Sequence, residues 1–225
     1  MPERVIRGRF THALDELNQG VLTLGSMVDK AIAKAMQALH ERDLDLAREV
    51  IENDQAINRR RFDLENLALD VLAMQQPMAK DLRFIMATQI IAIELERMGD
   101  YARGIAEVTV RMGFGPPLKS VDDLVRMAEL ARTMLSDALD AFAQRNVDLA
   151  RALPARDDAV DALNDRIYQT QVDLMIHDPH SVNTATWLLW ITHNIERLAD
   201  RVTNIAERIV FMVTGELVEM DVSTF

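Results

Sequence analysis

Two segments of the chain carry the same acidic pattern at an interval of one hundred residues: ELERMGDYARGIAE begins at residue 94 and NIERLADRVTNIAE at residue 194. The oxygen-bearing positions of the two copies are Glu96 and Asp100, and then Glu196, Asp200 and Asn204. Residues four apart lie on one face of a helix, so each copy presents two carboxylates side by side. Like charges at this spacing oppose helix formation by about 0.2–0.5 kcal/mol per pair, so another group is expected to offset them.

Further oxygen-bearing side chains are predicted to lie at the same height on the preceding helices. Pro77 and Pro179 mark tight turns, and counting outward from each turn pairs positions on two antiparallel helices. This count places four side chains within about one helical turn of the motifs. They are Asp54 and Asn58 in the first half and Asp157 and Asp161 in the second. The sequence therefore predicts two clusters of oxygen ligands, each between two helices.

A cluster of roughly four or five carboxylate and amide oxygens suits a hard or borderline cation. The chain has no cysteine, which excludes thiolate metal sites and disulfides. Mg²⁺, Mn²⁺, Ca²⁺ and ferric iron are the candidate ions, and Zn²⁺ can also bind through carboxylates. More than one ion per cluster is compatible with this pattern, because a carboxylate can bridge two ions.

The alternative interpretation of these motifs is a pair of solvated helix faces. Nearby arginines could neutralise the carboxylates as surface ion pairs, namely Arg97, Arg103, Arg197 and Arg201. Repetition in register, with matching acids on the preceding helices, favours metal binding. His193 lies about one helical turn before Glu196 and could reach the second cluster. His177 and His180 are better explained by the turn at Pro179.

Helices must position these motifs, and the hydrophobic pattern predicts them. Apolar residues recur every three or four positions within 14–38 and within 121–142, as in nearly parallel helices of a bundle. A less regular version of this apolar pattern comprises Val160, Leu163, Ile167 and Leu174. No stretch alternates with period two for long enough to be a strand. The predicted helices span residues 11–41, 44–75, 78–112, 120–145, 148–177 and 181–213.

Glycines and prolines divide these helices into two sets of three. The run RMGFGPPLKS is the strongest break and is expected to link two units. The repeated motif falls on the third helix of each set, which indicates duplication. Pro154 predicts a kink or a late start in the fifth helix. We therefore predict an all-α protein of two tandem, pseudo-symmetric three-helix bundles, with units at 1–113 and 119–225 and a linker at 114–118.

The net charge, the hydrophobic pattern and the absence of catalytic motifs argue against several classes of protein. The net charge of −11 opposes non-specific binding to nucleic acid or anionic lipid but is compatible with binding cations. No apolar run is long enough to span a membrane and the N-terminus lacks the core of a signal peptide, so a cytoplasmic protein is expected. No phosphate loop, nucleophile motif or Glu-x-x-His pair is visible, so no catalytic residue and no enzyme activity are expected.

Three segments together resemble the PhoU family of phosphate-signalling and phosphate-transport accessory proteins. They are QQPMAKDLRFIMA, ELERMGDYARGIAE and NIERLADRVTNIAERIVFMVTGE. The resemblance extends over nearly the whole chain, and all nine candidate ligands match acidic or amide positions of the family. It implies two pseudo-symmetric three-helix bundles that carry multinuclear iron or zinc clusters, often with Mg or Mn in their place.

The resemblance also implies a role and partners. Family members restrain the phosphate-starvation response when phosphate is plentiful, through a sensor histidine kinase and the ATP-binding subunit of the high-affinity phosphate ABC transporter. A cytoplasmic homodimer, associated with the membrane only through those partners, is therefore expected. Two alternatives stay open. One is a metal-handling or metal-dependent hydrolytic protein, and the other is an accessory subunit of another phosphate permease.

One position departs from the family pattern. The family usually has an asparagine where this chain has Gly104, directly after Arg103, whereas the second copy keeps Asn204. The first cluster therefore lacks one oxygen ligand and gains a nearby cation. We expect the first cluster to bind metal more weakly than the second.

Overall fold

The structure is a computed structural model that describes residues 2–75, 77–114 and 121–220. Within these ranges the chain forms α1 (Pro2–Glu41), α2 (Leu44–Gln75), α3 (Ala79–Met112), α4 (Asp122–Gln144), α5 (Val147–Ala152), α6 (Pro154–His177) and α7 (Val182–Thr214). A single 3₁₀ turn at Pro179–Ser181 joins α6 to α7. The described residues contain no strand, so the all-α prediction is confirmed.

The helices form two three-helix bundles that meet along α3 and α7. The first bundle packs α1, α2 and α3 together, and the second packs α4, α6 and α7, with the short α5 beside α4 and α7. The seam of α4 is buried along its length, from Val121 to Phe142, as its spacing predicts. Leu174 is 41% exposed, so its prediction as a seam residue was wrong. It lies in the last turn of α6, beyond Ile167, where the apolar seam gives way to a buried Gln171.

The fifth predicted helix is broken at Pro154, as expected. α5 ends at Ala152, Leu153 lies between the two segments, and Pro154 is the first residue of α6. Proline fits this position because the first amide of a helix needs no intrahelical acceptor. Asn146 caps α5, since its side-chain oxygen accepts the backbone N–H of Leu149 at 3.1 Å.

An approximate two-fold axis relates α3 to α7. The Nδ2 of Asn204 donates to the Oε2 of Glu94 across the two helices at 3.2 Å. On the other side of the axis, a Cβ added at Gly104 would lie 3.1 Å from the Oδ1 of Asn194. The two copies of the motif lie one hundred residues apart, so each of these pairs is the symmetry counterpart of the other. The helices are antiparallel, and this arrangement brings both motifs near the axis.

The first helices of the two bundles, α1 and α4, also contact each other. Arg42 and Arg145 follow α1 and α4 in the same left-handed conformation, with φ of 58° and 53°. Counted from these ends, Asp29 and Arg132 occupy equivalent positions 103 residues apart, and they contact each other. The guanidinium donates from Nε to Oδ1 at 2.7 Å and from Nη2 to Oδ2 at 3.0 Å. This bidentate ion pair joins the bundles at the contact between α1 and α4.

The boundary between the bundles lies after α3. Arg42 donates from Nη2 to the carbonyl oxygens of Met112 at 3.1 Å and Gly113 at 2.8 Å, which satisfies the C-terminal end of α3. The predicted linker at 114–118 falls mostly outside the described residues. None of the helices described in 2–75, 77–114 and 121–220 is long and apolar enough to cross a membrane.

Candidate metal sites on the repeated helices

The first acidic cluster lies between α2 and α3. Burial, followed by the charge of Asp100, raises the pKa of Glu96 above its usual value, and the charge of Asp54 raises it further. Burial also raises the pKa of Asp54, while Arg103 opposes the shift and Asp100 adds to it. The structure therefore brings carboxylates from two antiparallel helices close enough to disfavour one another's charge, as the count from Pro77 predicts.

Asp54 is the most buried member of this cluster, with a side chain 6% exposed. Its Oδ2 accepts from the Nδ2 of Asn58 at 3.0 Å and from Arg103 at 3.1 Å. Its Oδ1 is buried and has no hydrogen-bond partner among the described residues. Beside this oxygen, a Cβ at Gly99 would lie 3.1 Å from the Ile57 side chain, so the glycine lets α3 approach α2 closely. An unpaired buried carboxylate oxygen is unfavourable unless a cation or donor reaches it.

Arg103 extends into the first cluster from α3. In addition to Asp54, its Nη2 lies 3.4 Å from the Oδ1 of Asp100 and its Nε lies 3.5 Å from the Oε1 of Glu107. The ion-pair interpretation of the motif therefore describes part of the first cluster.

The second acidic cluster lies between α6 and α7. Burial, followed by the charge of Asp200, raises the pKa of Glu196, and Asp161 of α6 raises it further. His193 opposes this shift, and its Nδ1 lies 3.2 Å from the Oε2 of Glu196, so this histidine does reach the cluster. Asp157 lies one helical turn before Asp161, in the first turn of α6, where the helix dipole favours a carboxylate.

Asn204 lies at the contact between α3 and α7. Its amide nitrogen donates to Glu94, and the Nη1 of Arg201 lies 3.3 Å from the same carboxylate oxygen. Glu94 is 12% exposed, and sequence reasoning missed it. A comparison of the two copies could have pointed to Glu94, because the equivalent residue of the second copy is the uncharged Asn194.

His177 and His180 lie at the turn around Pro179, as the sequence predicts. The Nδ1 of His177 lies 2.7 Å from the carbonyl oxygen of Asp173, one turn earlier on α6. The backbone N–H of His180 donates to the Oδ1 of Asp178 at 3.0 Å. Both side chains are exposed and belong to the turn.

The donor chemistry of the clusters fits a cation, although the side chains do not form a coordination shell. Within the described ranges, no group of three or more Asp, Glu or His side chains is placed so that it could hold a metal ion. The clusters do combine oxygen donors, mutual repulsion and the unpartnered Oδ1 of Asp54, which are features that a hard cation would offset. A bound ion would have to draw the side chains together by rotation about their side-chain bonds.

Comparisons with known proteins agree with the duplicated fold. The family model described as PhoU domain matches residues 21–109 and 124–209. The "Phosphate-specific transport system accessory protein PhoU homolog" of Clostridium acetobutylicum is 36% identical over 213 residues, covering 94% of this chain and 97% of that protein. The crystal structure of the phosphate transport system regulatory protein PhoU from Streptococcus pneumoniae superposes with a TM-score of 0.87 at 33% identity, covering 93% and 99% of the two chains. PhoU from Pseudomonas aeruginosa gives a TM-score of 0.86 at 30% identity, covering 92% and 100%.

Proposed function

The chain belongs to the PhoU family, and on that premise we propose that it is a regulatory adaptor of phosphate homeostasis. It restrains the phosphate-starvation response when phosphate is plentiful. The observation that carries the proposal is the match to a phosphate-specific transport system accessory protein along 97% of that protein's length. The match covers 94% of this chain, and the family model matches both halves of the chain, at residues 21–109 and 124–209.

In this role the protein couples two partners. It binds the ATP-binding subunit of the phosphate ABC transporter and the sensor histidine kinase of the phosphate two-component system. It acts as a cytoplasmic homodimer and approaches the membrane only through these partners. Its action is steric and allosteric, without an enzymatic step. The 40 residues of α1 form a rod about 60 Å long, at roughly 1.5 Å per residue, which offers a large docking face.

The acidic clusters supply the metal-binding part of the proposal. Asp54, Asn58, Glu96 and Asp100 would hold ions in the first cluster, and Asp157, Asp161, Glu196, Asp200 and Asn204 would do so in the second. Iron or zinc is the expected metal, with Mg or Mn as substitutes. A bound ion would neutralise carboxylates that now repel one another. It would tie α2 to α3 and α6 to α7, and thereby stiffen both bundles.

Gene deletion tests the adaptor role. Loss of the protein is expected to raise expression of phosphate-scavenging genes in phosphate-rich medium, and the wild-type gene is expected to restore repression. Purified protein is expected to co-elute with the ATP-binding subunit and with the cytoplasmic part of the kinase. Unchanged expression after deletion, together with no complex in either mixture, would refute the adaptor role.

A complemented deletion strain separates the metal from the docking surface. The Asp100→Asn, Asp200→Asn double variant is expected to lose metal, measured by elemental analysis of protein purified without chelator. If that variant represses as well as the wild type, the metal is dispensable for the adaptor role.

A further inference from the structure

Five large apolar side chains of the first bundle lie exposed on α2 and α3. Each is between 38% and 54% exposed, and the set comprises Phe62, Leu69, Leu82, Met86 and Ile93. Single exposed apolar residues are ordinary on a protein surface, whereas a contiguous set of them marks an interaction site. The question is therefore whether these five residues are scattered or lie together.

Helical spacing places all five on the helix faces that also carry the first acidic cluster. On α3, the apolar residues are followed by Glu96 and Asp100 at intervals of three and four residues, so acids and apolar residues share one face. On α2, Phe62 and Leu69 lie four and eleven residues after Asn58 of the cluster, again on one face. Because α2 packs against α3, the five residues form one apolar strip that ends at the acidic cluster. We call it the α2–α3 strip.

The α2–α3 strip is long enough to hold a helical segment. From Leu82 to Ile93 it extends about 16 Å along α3, at roughly 1.5 Å per residue, which equals about three helical turns. The guanidinium of Arg61 lies 4.1 Å from the centroid of the Phe62 ring, so this aromatic side chain is already ordered before a partner binds. Apolar residues along two packed helices are a common contact for the apolar face of an amphipathic helix.

In the second bundle the equivalent positions are mostly polar. The counterparts lie one hundred positions later on α7 and 103 positions later on α6, the interval that separates Asp54 from Asp157. They are, in chain order, Asp165, Val172, Val182, Thr186 and His193. The packing of a three-helix unit therefore does not require apolar residues at these positions, and their presence in the first bundle needs another explanation.

The charge at the end of the strip indicates which kind of partner fits. Burial and then the neighbouring carboxylates raise the pKa of Glu96 above its usual value, although Arg61 and Arg97 act in the opposite direction. Additional positive charge at this end is therefore favourable, and a partner with Lys or Arg there is complementary. An anionic lipid surface would be repelled by the net charge of −11, and a second copy of the chain would bring the same acidic end.

We propose that the α2–α3 strip is the docking site for an amphipathic helix of a partner protein. The apolar face of that helix covers the strip, and Lys or Arg residues at one of its ends face Glu96 and Asp100. The inference rests on the proposed adaptor role and assigns a docking face to it.

Binding of the full-length chain to the two proposed partners tests this docking site. The ATP-binding subunit and the cytoplasmic part of the kinase are immobilised in turn, and Kd is measured by surface plasmon resonance. The informative variant is Phe62→Gln with Met86→Gln, and Leu82→Gln is an independent second variant. Tyr168→Gln with Ile176→Gln removes two exposed apolar side chains from the second bundle and is the matched control. All of these side chains are exposed, so the variants are expected to fold.

The double variant in the strip is expected to weaken binding to at least one partner by about tenfold or more, as the loss of an aromatic anchor does at an interface. The control is expected to keep the wild-type Kd, and higher ionic strength is expected to weaken wild-type binding. If the wild type binds a partner and both strip variants bind it with the same Kd, the docking site is wrong while the adaptor role stands. If the wild type binds neither partner, the docking site is refuted and the deletion experiment decides the adaptor role.

Photo-crosslinking identifies the segment that occupies the strip. The photoreactive amino acid p-benzoylphenylalanine is placed at Leu69, the complex is irradiated, and the cross-linked peptide is sequenced by mass spectrometry. The expected product is a partner segment with apolar residues three and four positions apart and with Lys or Arg at one end. A cross-link to a second copy of this chain or to an acidic segment would overturn the proposal. So would strip variants that lose binding to phosphatidylglycerol vesicles and keep their Kd for both partners.

Discussion

Replacing Glu196 by glutamine is expected to stabilise the metal-free protein at pH 8, although it removes a candidate ligand. The glutamate is partly buried beside Asp200 and Asp161, and both burial and these charges raise its pKa. An environment that raises the pKa of a carboxyl group favours its neutral form, and glutamine reproduces the neutral form at every pH. His193 and Arg197 oppose this shift but do not reverse it.

The size of the effect follows from the neighbours. The pair formed with Asp200, four residues apart on α7, opposes the helix by about 0.2–0.5 kcal/mol. Asp161 and the loss of solvent around the carboxylate add to this, so a total gain of about 1 kcal/mol is expected. For a chain of 225 residues, this corresponds to a rise in Tm of about 2–4 °C.

The pH dependence provides a second signature. Because the folded-state pKa of Glu196 is raised above its ordinary value of 4.5, its favourable contribution is complete below that value. The contribution is lost as the pH rises through the folded-state pKa. The difference in Tm between Glu196→Gln and the wild type is therefore expected to be largest at pH 8 and to vanish near pH 4.

Added metal is expected to reverse the sign. An ion present at one hundred times its Kd stabilises the folded state by about 2.7 kcal/mol, and the variant forfeits part of this. Thermal unfolding would be followed by circular dichroism in EDTA and then in excess Mn²⁺. Glu216→Gln, at a side chain 70% exposed, is the control. Two results would contradict this reasoning. In one, metal-free Glu196→Gln has a lower Tm than the wild type at pH 8, and in the other the difference in Tm persists at pH 4. Either result would show that the surroundings of Glu196 do not disfavour its charged form.

Two further predictions concern the packing of the bundles. A double-mutant cycle of Asp29→Asn and Arg132→Gln, measured by urea unfolding, is expected to give a coupling of about 0.5–1 kcal/mol. The pair is bidentate but its side chains are 37% and 35% exposed, so solvent screens it, and a coupling of zero would show that it does not join the bundles. Phe142→Ala is expected to lower the free energy of unfolding by about 3–5 kcal/mol. The Phe142 ring is buried and stacks on Phe84, with ring centroids 6.0 Å apart. A loss below about 1 kcal/mol would mean that this core contact repacks freely.

The helices could be predicted from the sequence because local signals determine their ends. Pro154 and Pro179 break the chain at points that no helix can cross unaltered, and Gly113 adopts a positive φ of 67° after α3. Between these points apolar residues recur every three or four positions. Within the described ranges, the helix ends predicted from these prolines and glycines therefore lie close to the observed ends. The N-terminus had no such signal, and α1 begins at Pro2 instead of residue 11.

The arrangement of the clusters could be predicted only in part. Asp54 reaches Glu96 and Asp100 because a tight turn fixes the register of α2 against α3, and this register can be counted in the sequence. The direction of Asn204 toward Glu94 depends on how α3 packs against α7. That contact joins residues 110 positions apart, and helical periodicity carries no information about it.

The internal duplication explains how the two clusters could become unequal. In a homodimer of single three-helix units, a residue on the two-fold axis meets its own copy, so a charge there faces a like charge. Fusion of the two units removes that constraint, since each copy can then change alone. Asp29 and Arg132 show the result, because equivalent positions now carry opposite charges and form an ion pair. Arg103 and Thr203 are a second such pair, because the first cluster has a cation at a position where the second cluster has a neutral side chain.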